Sequence, residues 1–445
     1  MSKKRIGAMM IIISAVTMSA CAATGNTAYP VANTDPAYSS AVSEVVMEDK
    51  PAASAGNMIT ETKTIVKETD KSYTLTSGED ITISESGTFE ITGTAQNTTI
   101  YVDTGDADEV TLLLSGIEIT NADRPCIYIK NAGKVTVETA DGTSSVLTVT
   151  DEFCQRMEDK GDAVIYSRDD LVLKGSGTLI ISSSDNAIRS NDDLKIKSGT
   201  YEIDCAKNAF RANDEIEIEG GDITVNSCND GIHAENNDDD TEGSILITGG
   251  TIQITATDDA IHATTTVQID NGTLNLTGAE GIEGTQSTIN GGDISISASD
   301  DGINAAAKSS ALSPVFELNG GNIVIRMGAG DTDGVDSNGN LYINGGTIDI
   351  TGQSTFDYDG EAKYTGGTII ENGTETNTIT NQMMGGRGGF GGRMNGMNIP
   401  DQEGNMEPGK QDGNRMPGQQ KGGFMPGQEK NNRKQHQTVN PDQEV

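Results

Sequence analysis

Between about residues 73 and 372, apolar and polar positions alternate in short runs. "SILITGG" followed directly by "TIQITA" at 244–256 is typical, with β-branched residues facing one way and Thr, Gln or Ser the other. A period of two over four to eight residues is the mark of a half-buried strand, and no 3.6-residue period of useful length competes with it. Gly-Gly and Asn-Gly pairs end the runs, where a corner of the chain needs positive φ. The punctuation recurs: "GSGTLIIS" from Gly175, "KSGTYEID" from Lys197, "EGGDITVN" from Glu219, "TGGTIQIT" from Thr248 and "NGGDISIS" from Asn290, on to "TGGTIIEN" from Thr365. Its second glycine, or the equivalent, stands at 177, 199, 221, 250, 272, 292, 321, 346 and 367. Steps of about 22 residues dominate, lengthened where insertions such as "NNDDDTE" at 236–242 interrupt.

Each unit of about 22 residues reads as two short strands, and neither can bury its apolar face alone. Stacked units can, by forming one continuous interior. A propeller or sandwich needs antiparallel hairpins and blades of about forty residues or more, whereas one coil of a parallel β-helix needs about 20–30. The predicted fold is therefore all-β, a right-handed parallel β-helix of about 22-residue coils, the hand following from the rule for parallel crossovers. Roughly 13 coils would span about 60 Å at strand spacing.

A second motif rides on the repeat: "NSCNDGIHAE" at 226–235, "TATDDAIHAT" at 255–264 and "SASDDGINAA" at 297–306. Aligned on its apolar residue, the column is Ile188, Phe210, Ile232, Ile261, Ile282, Ile303 and Val335. Two positions earlier stand Asn186, Asn208, Asp230, Asp259, Glu280, Asp301 and Asp333, so five consecutive coils stack a carboxylate at one corner. Asp258, Asp300 and Asp331 lie beside them. One position after the apolar residue come Arg189, Arg211, His233, His262, Glu283, Asn304 and Asp336, which point outward because the apolar residue points in.

For Asn186 and Asn208 an Asx ladder suffices, since these side chains bond neighbouring amides at corners. For the acids it does not. Carboxylates about 5 Å apart repel by roughly 3 kcal/mol per pair at an effective dielectric of 20, so the column needs protons or cations. Calcium, a hard cation taking six to eight oxygens, suits it, although neither the EF-hand loop nor the calcium nonapeptide is present. His233 and His262, stacked across one insertion, admit zinc or nickel beside the plainer reading of hydrogen-bonding surface residues. Arg189 and Arg211 stack one strand spacing apart, as forks for carboxylates or as partners in surface salt bridges.

The formal net charge is −37, which argues against nucleic acid as a partner. There is no Trp and aromatics are 4%, so flat platforms for neutral sugars are sparse. Lys3, Lys4 and Arg5 precede a short apolar run that ends in "MSAC", which predicts a signal peptide over 1–21 with a lipobox and lipidation of Cys21. That address is extracellular, on a bacterial cell surface, with the membrane reached only through the anchor. Residues 22–61 read as a flexible tether, 62–380 as the β-helix domain, and 381–445, rich in Gly, Met and Gln, as a disordered tail. Cys126, Cys154, Cys205 and Cys228 read as buried thiols; Cys205 and Cys228 fall one position out of register.

The strings "DDAIHA", "NDGIHA", "DDGINA" and "TDGVDS", with the "NGGTI" strands, resemble a carbohydrate-binding domain family first described in clostridia. The resemblance covers about residues 63–373. It implies a pectate-lyase-like right-handed β-helix on secreted or surface proteins that bind calcium and acidic polysaccharides such as polygalacturonate, with some affinity for cellulose. Matching motif positions imply metal roles for Asp230, Asp258, Asp259, Asp300, Asp301, Asp331 and Asp333. Glu280 completes the column, in a coil ("GAEGIEG") that departs from the double-acid form.

Three functions compete. The first is a non-catalytic, calcium-dependent carbohydrate-binding protein, with Arg189, Arg211, His233 and His262 on the sugar. The second is a polysaccharide lyase using calcium and Arg189, Arg211 or Lys207 as base. The third is a structural adhesin that uses the solenoid for length.

Overall fold

Each coil contains three strands, one more than the alternating pattern predicts. A computed structural model describes residues 69–154, 161–330 and 332–382. The leader with Cys21, the tether, Asp331 and the tail beyond Gln382 lie outside the described residues. Within them 38 strands form sheets of 13, 13 and 12 strands, parallel except for the pairing of the last strand, and no helix occurs. The fold is the parallel β-helix expected.

One coil shows how it is built. Ser244–Ile247 lies in the first sheet, Thr251–Ala256 in the second and Asp259–Ala263 in the third; Thr266–Ile269 then begins the next coil beside Ser244–Ile247. The third strand is the "DDAIHA" motif itself, which the sequence pattern places at a corner. Its side chains break period two: Asp259 and His262 bond each other on the outside, while Ala260 and Ile261 between them are fully buried. In the ladder Asp259 pairs with Glu280 and Ile261 with Ile282, so the motif carries the register despite its irregularity.

Like stacks on like inside. Ile232, Ile261, Ile282, Ile303, Val335 and Phe356 succeed one another in the third sheet, all fully buried. Each such side chain contributes about 1.5–3 kcal/mol of transfer free energy. The second sheet repeats this with Ile223, Ile252, Leu274, Ile294 and Ile323. At the corner before it, Gly250 has φ 100°, and a Cβ there would lie 3.0 Å from the Gly221 carbonyl oxygen. Close stacking of corners, as well as backbone conformation, requires glycine there.

The C-terminal coil is closed by an antiparallel pair, Thr368–Glu371 with Thr374–Thr376, which covers a sheet edge. Ile379 packs on the core, the Asn381 amide donates to the Tyr358 carbonyl at 2.6 Å, and the Gln382 N–H to that of Phe356 at 2.9 Å. Asn381 and Gln382, expected in the tail, are thus docked on the domain. The four cysteines described are free thiols, three of them buried. An irregularity beside Asp204 pairs that residue with Ser227, which brings Cys205 and Cys228 into step; the expected one-position offset is absorbed by this bulge.

Candidate functional site

The outer face of the third sheet carries one side chain per coil in a single row. In order these are Tyr101, Tyr128, Tyr166, Arg189, Arg211, His233, His262, Glu283, Asn304, Asp336 and Asp357. The row passes from aromatic to cationic to anionic. The Tyr128 and Tyr166 rings stack at 5.3 Å, the Arg189 guanidinium lies 5.7 Å from the Tyr166 ring centre, and His233 stacks on His262 at 4.6 Å with planes 8° apart. Few as they are, aromatic residues do gather here, but Tyr128 and Tyr166 are buried and serve packing rather than as a sugar platform.

Beside this row runs the Asn/Asp column, and it acts first as a ladder. Asn186 Oδ1 accepts the Asn208 N–H at 3.1 Å, Asp230 Oδ1 that of Asp259 at 3.2 Å, and Asp301 Oδ1 that of Asp333 at 3.2 Å. In Asp230 and Asp301 one oxygen therefore fastens the next coil, which leaves the other for a further partner.

For the first acids the protein supplies a hydrogen-bonding partner itself. Asp230 Oδ2 meets His233 Nδ1 at 2.8 Å, and Asp259 Oδ2 meets His262 Nδ1 at 2.9 Å. His262 Nδ1 also reaches Glu283 Oε2 at 2.6 Å, while Lys308 Nζ takes Glu283 Oε1 at 2.8 Å. His233 Nε2 faces Glu235 Oε2 at 3.2 Å. Burial alone would lower the pKa of His262, but its bonds to Asp259 and Glu283 outweigh this and raise it to about 10. Burial likewise pushes Glu283 up, and His262 and Lys308 bring it below the usual carboxylate range. Lys308 sits on an insertion fastened by Ser309 N–H to Thr285 Oγ1 at 2.8 Å and Ser310 N–H to Asp240 Oδ2 at 2.9 Å. Of these partners, Glu283 is legible in the outward register; Lys308 and Glu235 carry no sequence signal.

Further along, compensation ends. Burial, then the neighbouring charges of Asp336, Asp300 and Asp333, push Asp301 up to about 7 against the backbone N–H it accepts. Burial with Asp357, Asp333 and Asp359 raises Asp336 to about 6. Among the described residues no Lys, Arg or His pairs with either. Burial, Glu283 and Asp259 carry Glu280 to about 8, although Asn304 Nδ2 lies 3.2 Å from each of its oxygens. Asp258 and Asp300 are exposed beside the column, and Asp333 is half-buried. Asp301 and Asp336, oxygen donors with no basic partner among the described residues, fit calcium.

The basic groups are mostly engaged. Arg189 Nη1 meets Asp162 Oδ2 at 2.5 Å, Lys207 Nζ meets Asp185 Oδ2 at 2.7 Å, and Arg211 approaches Glu235 only to 3.8 Å. Burial and then Arg189 lower the pKa of Arg211. The Nε atoms of Arg189 and Arg211 are buried with no acceptor among the described residues.

Fold and row together define a solenoid with one elongated charged face, the surface such proteins present to extended ligands. The chain belongs to the family of carbohydrate-binding domain-containing proteins, whose profile matches residues 77–334. A carbohydrate-binding domain-containing protein of Acetivibrio thermocellus is 40% identical over 126 residues, 28% of this chain and 44% of that one. The chain thus matches less than half the length of this curated relative. A solved structure of a polysaccharide lyase-like protein from C. thermocellum, a gadolinium derivative, shares 32% identity over 51% of this chain and 93% of its own, with a TM-score of 0.42.

Proposed function

We propose that this carbohydrate-binding protein takes an acidic polysaccharide, polygalacturonate or a similar uronate polymer, through calcium, without cleaving it, while anchored outside the cell by lipid on Cys21. The observation that carries the reading is the division of this face into a basic stretch, Arg189 to His262 in the row, and an acidic stretch in which Asp301 of the column and Asp336 of the row have no basic partner among the described residues. Calcium on Asp301, Asp333 and Asp336 relieves their repulsion and keeps coordination positions for sugar carboxylates. The two arginines offer guanidinium N–H groups to further carboxylates along the same polymer. With a net charge of −37, attraction must be local and bridged by metal.

The test is a uronate-containing glycan array with the full mature chain, with and without EDTA. Binding should vanish with EDTA and weaken in Arg189→Ala/Arg211→Ala; binding that persists in EDTA refutes the bridge. A second reading, a lyase, draws on Arg211, whose buried Nε has no acceptor among the described residues, as the base removing the proton α to a uronate carboxylate. Unsaturated uronate accumulating in the ultraviolet, and lost in Arg211→Ala, would establish it.

A further inference from the structure

We propose that Asp259, His262 and Glu283 form a site for one borderline divalent cation of the zinc, cobalt or nickel type, separate from any calcium on the acid-only rungs. The inference does not rest on the polysaccharide reading. Three donors of two kinds converge from two coils: Asp259 Oδ2 and Glu283 Oε2 lie 2.9 and 2.6 Å from His262 Nδ1, and one ligand atom from each residue falls within 4.8 Å of the others. All three residues are more than nine-tenths buried, at 7%, 9% and 3% exposed. Carboxylate oxygen and imidazole nitrogen are both donor types that such metals take, and three of them leave a further position for water or another donor. A hard cation wanting six to eight oxygens is poorly served by it.

A second observation points to the same place. Asn304, also nine-tenths buried, lies on the next rung with Nδ2 3.3 Å from Glu283 Oε1, yet its Oδ1 has no hydrogen-bond partner among the described residues. That unsatisfied oxygen belongs to the side chain that borders the cluster through its Nδ2. The surroundings also hold the ligands in place, as metal sites require. His262 is clamped face to face on His233, and Lys308 occupies Glu283 Oε1, leaving Oε2 turned to His262.

Without metal, the Nδ1 proton of His262 sits between both carboxylates and satisfies them. Metal binding exchanges that proton: it leaves to solvent, and the Nδ1 lone pair and the two carboxylate oxygens take the cation.

The experiment uses the full mature chain, stripped with EDTA and desalted. Zn²⁺ is titrated calorimetrically in two buffers of different ionisation enthalpy, with and without excess Ca²⁺, and Co²⁺ is followed by its visible spectrum. The expected result is a tight equivalent of Zn²⁺ that survives Ca²⁺ and releases about one proton, with Co²⁺ bands showing nitrogen and oxygen ligation. His262→Gln and Glu283→Gln should each weaken that equivalent at least about 100-fold, whereas His233→Gln retains it. His436, the remaining histidine of the chain, is present in every variant and controls for binding elsewhere. Zn²⁺ binding unchanged in His262→Gln, or displaced by Ca²⁺, overturns the proposal. Should a variant fail to fold by circular dichroism, the wild-type Co²⁺ spectrum decides: bands without a nitrogen ligand count against the site.

Discussion

Asp301→Asn separates the two roles of the column at a single atom. The amide keeps an oxygen to accept the Asp333 N–H, now at 3.2 Å, and removes the charge that faces Asp336, Asp300 and Asp333. Neighbouring coils lie about 4.8 Å apart, and two charges at that distance repel by roughly 3 kcal/mol at a dielectric of 20. Asp301 is only half-buried, so solvent screening reduces the relief to about 1–2 kcal/mol. At about 2 °C per kcal/mol for a domain of this size, the variant should melt about 2–4 °C higher than wild type in EDTA at about pH 8. In excess Ca²⁺ the order should reverse, because the wild type gains from metal bound to the folded state and the variant gains less. The sign with pH is fixed by Asp301, whose folded pKa of about 7 lies above its ordinary value of 3.8. Protonation therefore favours the folded state, the cost of the charge is complete above about pH 7, and the variant's advantage should fade toward about pH 4. Differential scanning calorimetry over these conditions is the assay. A lower melting temperature for the variant in EDTA, or an equal calcium gain in both proteins, would refute the reasoning.

Other consequences follow from the same geometry. The EDTA-treated wild type should lose stability as pH rises from about 4 to about 10, because Asp336, Asp301 and Glu280 in turn shed protons that the folded state holds more tightly, and His262 loses its charge near 10; thermal melts in a pH series check this, and a rising melting temperature would contradict it. Gly302→Ala should destabilise by about 1–3 kcal/mol in urea unfolding, since its Cβ would lie 2.5 Å from the Gly334 carbonyl oxygen and 2.6 Å from Ile325 Cγ2. Deleting the chain after Gln382 should leave the melt unchanged, whereas deletion from Thr378 should lower it by uncovering the core at Ile379 and Phe356. Mass spectrometry of the native membrane fraction should find Cys21 as a lipidated N-terminus, and an unmodified Cys21 would remove the anchor.

Period-two alternation and glycine punctuation about every 22 residues determined the β-helix, because a solenoid's contacts are between equivalent positions of adjacent coils and so repeat in sequence. The same logic made the outward row readable from Arg189 to Asp336, and the Asx ladder at Asn186 and Asn208. The third strand was not readable: Asp259 and His262 share a face three residues apart, against the alternation by which strands are recognised. Nor did the column disclose which of its acids carry a counter-charge. Asp230 and Asp259 meet histidines three residues further along the chain, but Glu283 takes Lys308 from an insertion 25 residues away, held by Thr285 and Asp240. Where an insertion lands is set by tertiary packing and by no repeat. Only the folded chain therefore separates acids that are already neutralised from Asp301 and Asp336, whose charge remains to be met from outside.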